Sequence, residues 1–138
     1  MYIACESRKI AIVKCLIEHG ADINIKNKYD NTLLIEAYEN GNKVIVKYLV
    51  ELGNVEINKT NTKGETLLFN TCKNENKSLV KYLVELGADI NKENIRGETP
   101  LFVACKNGNK AVVKCLVELG ADINKENKLY FMHVKLKF

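Results

Sequence analysis

Few residues in this chain are equipped for acid–base, redox or metal chemistry. Two histidines, His19 and His133, stand among 138 residues. The five cysteines are an odd number without a C-x-x-C pair or a clustered set of histidines, which argues against zinc, a redox motif or a disulfide framework. The glycines spell neither G-x-G-x-x-G nor G-x-x-x-x-G-K, so no phosphate-cradling loop is legible. No stretch of 18 apolar residues exists, and no membrane span is expected. Glu6, Arg8 and Lys9 interrupt the apolar start too early for a secretory leader. Proline occurs once, at Pro100, and arginine twice against nineteen lysines. The net charge of +4 is mild, and 46% apolar with 28% charged residues suits one globular domain.

What the chain does have is a period. Residues 94–126 fall on 61–93 when shifted by 33, with Gly97, Glu98, Thr99 and Leu101 meeting Gly64, Glu65, Thr66 and Leu68. Leu119 to Asn124 repeat Leu86 to Asn91. A further shift reaches 27–60, one residue longer because Gly53-Asn54-Val55-Glu56-Ile57-Asn58 replaces the five-residue Gly-Ala-Asp-Ile-Asn. A last shift reaches 1–26, where Ile3, Ala4 and Cys5 align with Val103, Ala104 and Cys105. Self-similarity at this spacing marks a repeat architecture, in which each unit needs stacked neighbours to cover its apolar face. Entry into the pattern at the middle of a unit leads us to expect a segment of a longer array.

Each unit reads as helix, tight turn, helix, loop. Thr99 can cap a helix whose first position suits Pro100, which has no N–H to leave unpaired. Lys106-Asn107-Gly108-Asn109 breaks that helix. From Lys110, the residues Val112, Val113, Cys115, Leu116 and Leu119 draw one apolar helical face, ended by Gly120 as a left-handed cap. The polar, turn-rich stretch after it reads as a hairpin-like loop. The extra residue of the second unit is expected to enlarge the loop near Asn54 and Val55 without disturbing helices.

This pattern resembles the ankyrin repeat over residues 1–126. The resemblance rests on Gly97-x-Thr99-Pro100-Leu101, then Ala104, Gly108, Val113, Leu116, Gly120-Ala121-Asp122 and Asn124, kept in phase through the earlier units. It implies an all-α solenoid of stacked helix-turn-helix units with hairpin-like loops, in repeats 1–26 (partial), 27–60, 61–93 and 94–126. The family's Thr-Pro-Leu-His appears as Thr99-Pro100-Leu101-Phe102, Thr66-Leu67-Leu68-Phe69 and Thr32-Leu33-Leu34-Ile35, so its His is absent, and an array less stable than a consensus one is expected. The resemblance implies a non-enzymatic module that binds another protein by its loop tips and the exposed side of its first helices. Carried over by position, the partner-binding residues are Lys28, Tyr29, Asn31 and Glu39, then Lys63, Glu65 and Lys73, then Ile95, Arg96, Glu98, Lys106 and Asn107. Tyr29, Ile95 and Arg96 are the anchors, because aromatic and Arg side chains tend to dominate interface energy. No cofactor, metal or small-molecule substrate is implied.

Other constellations fit a scaffold. Cys5, Cys72 and Cys105 share one phase of the first helix, and Cys15 and Cys115 one phase of the second, so all five are expected as reduced core thiols in an intracellular, cytoplasmic setting. His19, near a helix end, is expected on the surface. Lys14, Lys47, Lys81 and Lys114 precede Glu18, Glu51, Glu85 and Glu118 by four residues, giving rows of opposite sign that serve solubility. Nucleic-acid binding through Lys28, Lys63, Lys73, Arg96, Lys106 and Lys128 is disfavoured by the interleaved Glu39, Glu65, Glu93, Glu98 and Glu126. The stronger alternative is a structural spacer, or a monomer able to associate end to end through Ile3 and Ile12. Residues 127–138 are read as a tail or cap over the last repeat.

Overall fold

The computed structural model describes residues 1–125. The expected tail or cap at 127–138, with Lys128 and His133, lies outside the described residues. Among the described residues there are eight α-helices and no strand beyond one isolated antiparallel bridge between Lys26 and Thr32. The expected all-α class is the class observed.

The chain forms two compact units, Met1–Thr62 and a second from Lys63 on. The first holds α1 (Tyr2–Glu6), α2 (Ile10–Glu18), α3 (Leu33–Glu39) and α4 (Lys43–Glu51). The second holds α5 (Leu67–Cys72), α6 (Lys77–Glu85), α7 (Pro100–Lys106) and α8 (Lys110–Glu118). Helices of five to nine residues are too short to persist alone in water, so packing holds them. In each unit two antiparallel pairs stack first helix on first helix and second on second: α1 on α3 and α2 on α4, α5 on α7 and α6 on α8. Leu33, Ile45 and Leu49 form the core of the first stack, and Leu67, Leu68, Phe69, Leu83 and Leu116 that of the second.

Local chemistry places each helix start. The hydroxyls of Thr32, Thr66 and Thr99 accept hydrogen bonds from the Ile35, Phe69 and Phe102 amides, and Pro100 opens α7. Asn42 and Asn76 cap α4 and α6 in the same way. Gly20, Gly53, Gly87 and Gly120 take the left-handed conformation just past the second helices. The long loop of the second repeat leaves α4 nine residues long, like α6 and α8. Asn24 ties that loop down, accepting from the Glu56 amide at 2.8 Å and donating to the Asn54 carbonyl at 3.0 Å.

The charge rows are real but uneven. Lys47–Glu51, Lys81–Glu85 and Lys114–Glu118 pair at 3.7, 4.0 and 3.9 Å, all exposed, so each contributes at most about 1 kcal/mol. Lys14 instead lies over the Tyr48 ring, 5.1 Å from its centre.

The cysteines need one correction. Cys5, Cys72 and Cys115 are buried and Cys105 partly so, but Cys15 is exposed. The corresponding Cys115 of α8 packs within the α5–α8 stack, near Cys72, whereas α2 packs on α1 and α4 and leaves Cys15 open. Burial pushes the Cys5 thiol up to about 11 and the Cys72 thiol higher still, which keeps both protonated and unreactive. His19 is exposed, as expected. Its Nδ1 lies 2.7 Å from the Cys15 carbonyl oxygen and 3.8 Å from Cys15 Sγ. An Nδ1–H donated to that carbonyl leaves no base at the nitrogen nearest the sulfur.

Candidate functional site: a groove under the loop tips of the second unit

The site begins with an asparagine. Asn94 Oδ1 accepts from the Arg96 and Glu98 amides, both at 2.9 Å, and its Nδ2 donates to Glu98 Oε2 at 2.8 Å. An Asx-type turn of this kind fixes a tip that would otherwise be loose. Gly97, at φ +72°, supplies the left-handed residue that closes the turn. The Asn94 amide then bonds the Glu98 carbonyl, and the Ile95 amide reaches the preceding tip at Lys63 O, 3.0 Å away. The result presents Ile95 and Arg96 outward.

The first unit builds its tip by the same rule from other residues. Asn27 Oδ1 accepts from the Tyr29 and Asn31 amides at 2.9 and 3.0 Å. Asp30 stands at the repeat position of Gly64 and Gly97 and takes φ +63°, a conformation Asp tolerates better than most residues. Tyr2 braces this loop by donating to the Ile25 and Asn31 carbonyls at 2.6 and 3.1 Å. Burial pushes its hydroxyl up to about 12, so the donor stays protonated at any ordinary pH.

Between the tips and the first helices of the second unit lies a groove of about 310 Å³. Lys63, Glu65, Lys73, Ile95, Arg96, Glu98, Lys106 and Asn107, eight of the residues carried over by position, line it together. Glu65 is not a contact surface, being buried. Its carboxylate takes Lys73 Nζ at 2.9 Å, and the same pairing recurs one repeat on between Glu98 and Lys106 at 3.9 Å. Lys73 also lies 5.4 Å from the Phe69 ring centre. Asn107 Nδ2 donates to the Lys73 carbonyl at 3.2 Å, tying the two first-helix ends together.

The remaining four positions sit in the first unit and are a different kind of surface. Tyr29 is exposed with Lys28 Nζ 4.8 Å from its ring centre, and Glu39 is exposed on α3. Asn31 is buried and donates to Glu36 and Glu39 at 3.4 and 3.1 Å, so it organises the loop and offers little to a partner. Three groove-lining residues are absent from the positional reading: Phe69, Asn94 and Val103. Phe69 and Val103 carry a core signal in the sequence, and only the fold shows that each also turns one edge to the groove. Asn94 carried a legible signal in its recurrence as Asn27, Asn61 and Asn94 at each loop base.

Such a groove offers paired charges, amides and apolar edges, and holds no nucleophile beside a base. Among the described residues no cluster of His, Cys, Asp and Glu could hold a metal, and no helix is long and apolar enough to cross a membrane.

A family model described as ankyrin repeats (3 copies) matches residues 1–61 and 52–127. The chain belongs to the ankyrin-repeat family. Among curated proteins it is similar to alpha-latroinsectotoxin-Lt1a of Latrodectus tredecimguttatus, at 46% identity over 54 residues. That stretch is 38% of this chain and 4% of the toxin, so the likeness is one of repeat to repeat. Ankyrin repeats generally serve as non-enzymatic modules for protein–protein interaction.

Proposed function

We propose that this chain is a protein-recognition module whose binding surface is the groove of the second unit. The observation that carries the reading is the convergence there of exposed Ile95 and Arg96 with the Lys73 and Lys106 rungs around a formed concavity. Ligand sites are concave, with apolar walls and a few placed polar groups. The exposed Tyr29 belongs to the first unit and is not among the residues lining this groove.

Affinity capture from nuclease-treated cytosol tests this. Three baits are compared: the unmodified chain, Tyr29→Ala, and Arg96→Ala with Lys106→Glu. The expected result is a protein held by the first two and lost by the third. Equal capture by all three baits removes the groove from the function.

A second reading rests on the outer face of the first repeat. Ile3 is 78% exposed where Val103 is 7%, and Ile12 is 44% exposed where Val112 is fully buried. Leu16 is likewise open where Leu116 is covered. In the second unit those positions are closed by the α5–α6 pair, so the same face of α1 and α2 is shaped to receive another helix pair. On this reading the chain associates end to end, and sedimentation equilibrium shows mass rising with concentration, abolished by Ile12→Lys. A monomer at every concentration excludes it.

A further inference from the structure

The groove of the second unit carries an excess of positive charge. We infer that its ligand is an extended peptide segment bearing carboxylates around an apolar side chain, an inference that rests on the recognition reading above.

The comparison of repeats carries it. The first-helix position held by Lys73 and Lys106 is Glu6 and Glu39 in the first unit. The tip position held by Lys63 and Arg96 is Tyr29 there. At these two positions the equivalent surfaces therefore differ in charge, with cations in the second unit where the first has carboxylates or a tyrosine.

Inside the groove four cations face two carboxylates. Those two, on Glu65 and Glu98, are only 10% and 15% exposed and already serve Lys73 and Asn94. They sit beneath the rim, while Lys106 and Arg96 stand at it. The Arg96 guanidinium has no ion-pair partner among the described residues. A guanidinium with unused donors takes a carboxylate in a two-pronged bond. Exposed Ile95 beside it, with the edges of Phe69 and Val103 below, gives one apolar side chain a place to be covered.

A nucleic acid fits less well. Its bases need exposed aromatic faces, and the aromatic ring lining the groove, Phe69, is buried.

The test pans a random peptide display library against the full chain at physiological ionic strength. A single-stranded RNA oligonucleotide is titrated in parallel. The net charge of the enriched peptides is read first. Their affinity for Arg96→Ala with Lys106→Gln, checked for folding by circular dichroism, is read second. Acidic peptides with an apolar residue are expected, losing about tenfold or more in affinity for the double variant. Neutral or basic peptides that lose affinity for that variant overturn the charge inference and leave groove recognition standing. Peptides indifferent to the variant, or no enrichment, overturn both. RNA binding that the variant abolishes overturns the peptide assignment.

Discussion

Gly64→Ala is expected to cost more stability than Gly97→Ala, although the two glycines hold the same position one repeat apart and share φ +72°. Left-handed backbone costs a residue with a Cβ about 1–2 kcal/mol, and both variants incur that. The surroundings separate them. A Cβ at Gly97 meets nothing within 4 Å, whereas one at Gly64 stands 2.8 Å from the Ile95 nitrogen and 3.1 Å from Asn94 Cα. All of these are backbone atoms, which cannot swing aside as a side chain does. The loop must move, and the bond from the Ile95 amide to Lys63 O goes with it, for about 1 kcal/mol or more beyond the shared penalty. Urea unfolding of both variants measures the difference, expected at about 1 kcal/mol or more, with a total loss of roughly 2–4 kcal/mol for Gly64→Ala. Equal losses would mean that the two tips are not in contact. Because Lys63, Ile95 and Arg96 sit on these tips, Gly64→Ala should also weaken binding in the groove, with no groove side chain altered.

How the tips lock together separates what the sequence shows from what it hides. Helix content, the Thr66 and Thr99 caps, Pro100 and the left-handed Gly120 were legible, since each acts within a turn of itself. So were eight of the residues that meet in the groove, though only through family resemblance, because nothing local in Lys73 or Arg96 says what it faces. Burial was the weaker part. Glu65 and Asn31 are polar loop-to-helix residues that read as exposed, yet each is covered because it holds the loop to the helix. Cys15 erred the other way: its phase was right, but phase says which side a residue faces and not whether anything stands there. Asn70 is the hardest case. It is 5% exposed where the next repeat has Val103, and its Nδ2 has no hydrogen-bond partner among the described residues. No pattern in the sequence marks that donor as orphaned.

The asparagines that open the second helices carry the other large expected effect. In the sequence Asn109 looks like part of a break, because Asn is a poor helix former, and Asn42 holds the same repeat position. In the structure each is a buried clasp between repeats. Asn42 Nδ2 donates to the Cys5 carbonyl at the end of α1, and Asn109 Nδ2 to the Cys72 carbonyl at the end of α5, both at 3.1 Å and both 37 residues away. Both carbonyls belong to the last turn of a helix; that of Cys5 also accepts from the Arg8 amide at 3.1 Å, whereas that of Cys72 takes no backbone amide among the described residues. Asn42 also caps its own helix, its Oδ1 accepting from the Ile45 amide at 3.3 Å, whereas Asn109 makes no such side-chain cap. Asn109→Ala therefore strands one buried carbonyl, for about 1–3 kcal/mol. Asn42→Ala removes one of two donors to the Cys5 carbonyl, which keeps the Arg8 amide, and loses a cap besides, and is expected at roughly 1–3 kcal/mol. Asn42→Ser, which keeps a cap acceptor but cannot reach the Cys5 carbonyl, should recover about 1 kcal/mol of that. Urea unfolding gives the three values, and amide exchange at Ile45 reports the cap separately. If Asn42→Ser is as damaging as Asn42→Ala, the cap contributes nothing; if all three are neutral, the clasp does not hold the repeats together. A deficit of this size is a large share of what a domain of this length can have.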